Sequence, residues 1–150
     1  MNIPDPKKLN DPDKLRKLMA NAIRLGHPDL AFDCKLRIAE LVANTHPVGL
    51  DRDFWAALAL AEEMKTEANG KTSRLAKART KFSKSGARQA LEDWVQDATM
   101  IENFERLVTL GHGDLTAEAV VLRHRDQFTA NAVEASRIKL VDKGVEIEEA

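Results

Sequence analysis

A single cysteine, Cys34, excludes an intramolecular disulfide and any zinc site built from several thiolates. The expectation is therefore a reducing, cytoplasmic setting. Tyrosine is absent and aromatic residues make up only 5% of 150 positions, which leaves little of the material that favours strands. No stretch approaches the roughly 18 to 20 apolar residues of a membrane span. Residues 1–10, which include Pro4, Asp5 and Pro6, lack the apolar centre of a secretion signal. The four histidines, His27, His46, His112 and His124, show no paired i,i+4 spacing, so neither a metal nor a cofactor is expected. A phosphate-binding loop is excluded as well. Gly70-Lys71-Thr72 matches the end of that motif, but Lys65 stands where its first glycine belongs, and a helical pattern precedes it instead of a strand.

Abundant Ala, Leu, Lys, Arg and Glu favour helix, and apolar residues recur at 3.6-residue spacing between clear stop signals. The pattern predicts an all-α chain, a compact single domain of about seven helices over 1–150, with flexible ends at 1–10 and 145–150. Asp11 and Pro12 open the first helix and Gly26 closes it. A second runs from Pro28 and stops before Pro47. Asp51 is expected to cap a third helix that ends at Asn69-Gly70, and Ser73 to begin a fourth that Gly86 breaks. Thr99 and Glu102 have capping-box spacing. Thr116 and Thr129 are expected to cap the last two helices, and Gly144 to end the final one. Cys34 lies on an apolar stripe and reads as a small buried hydrophobe. No internal repeat is evident at a fixed period.

Charge arrangement is the strongest functional signal. A net charge of −1 gives no global attraction to nucleic acid or membrane. Between Glu67 and Glu92, however, no acidic residue occurs, while Lys71, Arg74, Lys77, Arg79, Lys81, Lys84 and Arg88 supply seven positive charges. The remainder of the chain is therefore net negative. Arg74, Lys77, Lys81, Lys84 and Arg88 recur at steps of three and four, which stacks them on one helical face. Thr72, Ser73, Thr80, Ser83 and Ser85 interleave hydroxyls suited to phosphate oxygens.

Such a ridge points to a non-enzymatic nucleic-acid-binding domain, duplex DNA favoured, with those seven residues as its phosphate contacts. The alternative is a protein-interaction module that docks an acidic partner, or a second copy of the chain, on the same face. A small enzyme acting on nucleic acid is a third reading. Its best acid–base pair is His112 with Asp114 in the turn from Gly111 to Gly113, followed by His124. His124-Arg125-Asp126 matches a kinase triplet in letters only. Arg123, His124 and Arg125 form a smaller basic cluster able to extend the ridge, and Trp94 is a core residue unless exposed enough to stack on a base.

Overall fold

The computed structural model describes residues 4–147, and the first helix begins where its capping signals place it. Asp11 accepts from the Asp13 N–H at 2.9 Å, and Pro12 occupies the first position of α1 (Pro12–Arg24). α1 is amphipathic and buries Leu15 and Ala22. It ends at Gly26, whose φ of +77° only glycine adopts without strain. The His27 N–H bonds to the Ala22 carbonyl and the Gly26 N–H to that of Ile23, a Schellman closure. Residues 4–10, expected to be flexible, are tied down: Leu9 packs against the Leu15, Cys34 and Ile38 cluster while its carbonyl accepts from Arg37 Nε.

α2 (Pro28–Ala43) packs along α1 on one side and along α3 (Leu50–Asn69) on the other. Cys34 is fully buried on α2, and desolvation together with neighbouring Asp33 raises its thiol pKa. Every residue of α3 from Ala57 to Met64 is buried, so this helix is enclosed on all sides and forms the axis of the fold. Phe54 and Leu58 within it are wholly inaccessible, each contributing about 1.5–3 kcal/mol of burial. α3 starts at Leu50 with Gly49 as its N-cap, so Asp51, the expected cap, lies in the first turn.

α4 (Ala76–Gln96) is interrupted at Gly86, where φ +86° and ψ 177° depart from helix. Two ion pairs give the shape of that interruption: Lys81 reaches Asp93 at 3.1 Å and Lys77 reaches Asp97 at 4.0 Å. In a straight helix these partners would stand about 18 and 30 Å apart. Both pairs can form only if the chain folds back at Gly86. α4 is therefore a helical hairpin of two arms, 76–85 and 87–96.

Asp97 next caps a 3-10 turn at Ala98–Met100, accepting from the Thr99 N–H and hydroxyl. Thr99 is thus the donor and not the cap expected of it, and α5 (Ile101–Thr109) follows. Thr116 caps α6 (Ala117–Arg123) by accepting from the Ala119 N–H, and Thr129 caps α7 (Ala130–Asp142) by accepting from that of Ala132. Ala117 to Leu122 are all buried, and α3, α4, α6 and α7 share the largest apolar cluster. Val145 and Ile147, in the tail expected to fray, pack on Phe104, Leu122 and Leu140, while 148–150 lie outside the described residues. Seven α-helices and no strand occur among the described residues, and no helix there is long and apolar enough to cross a membrane.

One recurrence escapes a search for fixed periods. Leu25-Gly26-His27-Pro28-Asp29-Leu30 and Leu110-Gly111-His112-Gly113-Asp114-Leu115 agree at five of six positions. The second copy closes α5 as the first closes α1, with the His112 N–H on the Leu107 carbonyl and the Gly111 N–H on that of Val108.

Candidate functional site: a cleft with one cationic wall

The turn from α3 into α4 determines where the basic residues point. Gly70, at φ +72°, ends α3, and the chain then runs back along it. The Ser73 N–H donates to Thr66 Oγ1 at 2.9 Å and the Leu75 N–H to Glu62 Oε2 at 2.9 Å. These bonds tie the connector to α3, and α4 begins at Ala76, three residues after the expected start at Ser73.

Buried Glu62 also receives Arg79 in a fork, Nε and Nη2 each at 2.6 Å, with Arg74 Nη1 at 3.9 Å. The side-chain hydrogen bond to Glu62 holds the Arg79 guanidinium pKa above its ordinary value. Arg79 Cζ also lies 5.1 Å from the centre of the Trp55 ring. Arg88 stands 3.7 Å from Glu92, a buried carboxylate that accepts from the Thr129 N–H and hydroxyl at 2.7 and 2.8 Å. Arg79 thus ties the outgoing arm to α3 and Glu92 ties the returning arm to the start of α7, while Arg88 pairs with Glu92 within its own arm.

The seven predicted residues consequently divide into three groups. Arg79 and Arg88 face buried glutamates. Lys71 stands exposed on the α3–α4 turn. Arg74, Lys77, Lys81 and Lys84 line one side of a cleft of about 1040 Å³ between α3, the hairpin and the start of α5. Steps of three and four thus stack Lys77, Lys81 and Lys84 on the outgoing arm. Arg74, expected on the same helical face, lies in the connector before α4 and lines the cleft from there, and Arg88, past the Gly86 corner, belongs to the returning arm.

Met64, Ala61, Leu75, Ala78, Ala90, Trp94 and Met100 give the cleft an apolar floor. Trp94 is only 5% exposed and so offers no open face for a base. Asp93, Asp97 and Glu102 lie among the lining with Lys65 and Arg106, giving six basic against three acidic side chains. Bonds from the Thr99 hydroxyl and N–H hold the Asp97 carboxyl below its ordinary pKa, and nearby Lys77 adds to this. The lysine partners on this wall are loosely held, the Lys77 side chain being 90% exposed and that of Lys81 41%. Lys84 and Lys71 have no carboxylate within ion-pair distance among the described residues. Lys65, Arg106, Met64 and Met100 were not identifiable from sequence as cleft residues, since only the tertiary fold brings them beside the basic arm.

The remaining candidates are dispersed. His112 stacks on Phe32, ring centres 4.4 Å apart, in place of a pairing with Asp114, whose carbonyl instead accepts from Arg123 Nη1 at 2.9 Å. His124 Nε2 lies 2.6 Å from Asp53 Oδ2, a partner 71 positions away that local sequence could not indicate. His46 stacks on Trp55 at 4.6 Å. Among the described residues no three His, Cys, Asp or Glu side chains converge as a metal site. No protein-family model, curated protein or solved structure matches this chain.

Proposed function

We propose that this chain is a non-enzymatic interaction module whose cleft receives an acidic, partly apolar helical segment of another protein. The observation that carries this reading is the position of four cations, Arg74 on the connector and Lys77, Lys81 and Lys84 on the outgoing arm, which line a recess with a methionine- and alanine-rich floor. A helix with its side chains is about 10–12 Å across, and helix-in-groove recognition needs an apolar floor for anchors with charges at the rim. Methionine suits such a floor because its unbranched, polarisable side chain adapts to varied partners. Net positive lining supplies charge complementarity to an acidic segment.

Nucleic acid, with duplex DNA favoured, is the second reading. It is supported by Lys71 and Lys84, which lack a carboxylate partner among the described residues, and by exposed Thr72, Thr80, Ser83 and Ser85 around them. Lys71 separates the two readings because it lies outside the cleft lining, whereas Lys84 lies within it. Lys84→Glu and Lys71→Glu are compared in fluorescence anisotropy with a synthetic acidic amphipathic peptide and with a DNA duplex. Docking in the cleft predicts that Lys84→Glu weakens peptide binding about tenfold and Lys71→Glu leaves it within about twofold. If the duplex is retained, the peptide is not, and both variants weaken the duplex equally, the nucleic-acid reading replaces the first.

A further inference from the structure

The cleft contains its own counter-ions, and their spacing describes what could displace them. Lys77 and Lys81 on the outgoing arm are four residues apart, as are Asp93 on the returning arm and Asp97 at its C-cap. Four residues of helix rise about 6 Å, so each acid of one arm meets one cation of the other.

The two kinds of ion pair on this hairpin differ sharply. Glu62 and Glu92 are buried; Glu62 holds Arg79 in a two-bond fork, and Glu92 is itself fixed by bonds from Thr129. Asp93 is half exposed opposite Lys81, and Asp97 meets Lys77 only at 4.0 Å, through an oxygen other than the one that caps the following turn. Exposed pairs of this type contribute little to stability and exchange readily. The bonds of Glu62 to Arg79 and of Glu92 to Thr129 hold the arms in place, while the exposed pairs leave the cationic wall exchangeable.

We propose that Asp93 and Asp97 are internal competitors for the docking wall, holding Lys81 and Lys77 until a partner helix with carboxylates at i and i+4 replaces them. This inference rests on the cleft being a protein-docking site and adds the partner's register. The incoming helix presents an acidic stripe at i,i+4 to the outgoing arm and apolar residues to the floor at Met64 and Met100. Freed of the lysines, Asp93 turns to solvent, and Asp97 keeps its bonds to Thr99.

The test uses the full chain and a blocked, helix-forming synthetic peptide of about 20 residues. Its glutamates are placed at i and i+4 with leucines on the adjoining face, and a second peptide of the same composition has the glutamates scattered. Asp93→Asn is expected to bind the first peptide about two- to fivefold more tightly than the parent. Asp97→Asn, which retains a capping side chain, is the independent second variant and should act in the same direction. The scattered peptide should bind the parent several-fold more weakly and gain less from either substitution. Circular dichroism establishes that both variants remain helical. Unchanged or weaker binding by both folded variants overturns the competitor proposal, yet leaves the docking reading standing if Lys84→Glu still weakens binding about tenfold. Failure of the parent and both aspartate variants to bind either peptide removes both.

Discussion

Individual side chains show how much of this charged sequence is structural. Five of the seven basic residues between 71 and 88 meet a carboxylate, and three of them, Arg74, Arg79 and Arg88, meet buried ones. Sequence supplies the cations and their spacing but not the direction of their partners, because Glu62 lies on α3 and the Leu75–Arg79 cluster it binds forms only after α3 and α4 pack. Glu118 presents a related problem with a testable pH signature. It is buried at 3% exposure beside Lys139, whose Nζ is 3.0 Å away, and desolvation raises its carboxyl pKa above the usual 4.5 more than Lys139 lowers it. A carboxyl with a raised folded-state pKa holds its proton longer when folded than when unfolded. Its stabilising contribution is therefore complete below pH 4.5 and is lost as pH rises through the folded value. Glu118→Gln removes that titration while keeping a polar neighbour for Lys139. Relative to the parent, the Tm of the variant should improve as pH is raised from about 4 to 7 in scanning calorimetry. A constant difference across that range would show that Glu118 does not titrate differently on folding.

At the scale of elements, the legible features are those decided within a few residues. Asp11, Thr116 and Thr129 cap as their sequences suggest, and Gly26, Gly70 and Gly144 end helices in the left-handed region. Less legible are starts set beside another element, such as α4 at Ala76, where the preceding Ser73 and Leu75 N–H groups donate to Thr66 and Glu62 on α3. The break at Gly86 is readable from composition, but the reversal it produces is known only through Lys77–Asp97 and Lys81–Asp93. That corner is also the point on which the cleft depends. A Cβ at Gly86 meets nothing within 4 Å, so the cost of Gly86→Ala comes from φ +86° alone. With ψ at 177° this is an extended, essentially glycine-only conformation, so the substitution is expected to lower stability by about 1–3 kcal/mol in thermal melts while the far-UV spectrum stays helical. The strain is relieved by opening the arms, so acidic-peptide binding should weaken along with Tm. Loss of Tm with unchanged peptide affinity would separate the corner from the cleft geometry.

Across the whole molecule, a net charge near zero conceals a basic hairpin on an acidic body. The all-α class was readable from composition and periodicity, since little in the chain favours strands and helix stops recur throughout. The division of cations between anchors and cleft wall was not, because it depends on which face of a folded hairpin each residue occupies. That division has a consequence for salt. Buried or partly buried pairs, such as Arg79 with Glu62, Lys35 with Glu67 and Lys139 with Glu118, are shielded from added ions. The wall formed by Arg74, Lys77, Lys81 and Lys84 opens to solvent, where the Debye length falls from about 10 Å at 0.1 M to about 3 Å at 1 M. Raising salt from about 0.05 to 0.5 M should therefore weaken docking of an acidic peptide by at least about tenfold, with only a small shift in Tm. Anisotropy titrations and calorimetry on the same samples measure both quantities. A Tm that falls in step with affinity would mean that the exposed pairs hold the hairpin together, leaving no separate, exchangeable wall for a partner to engage.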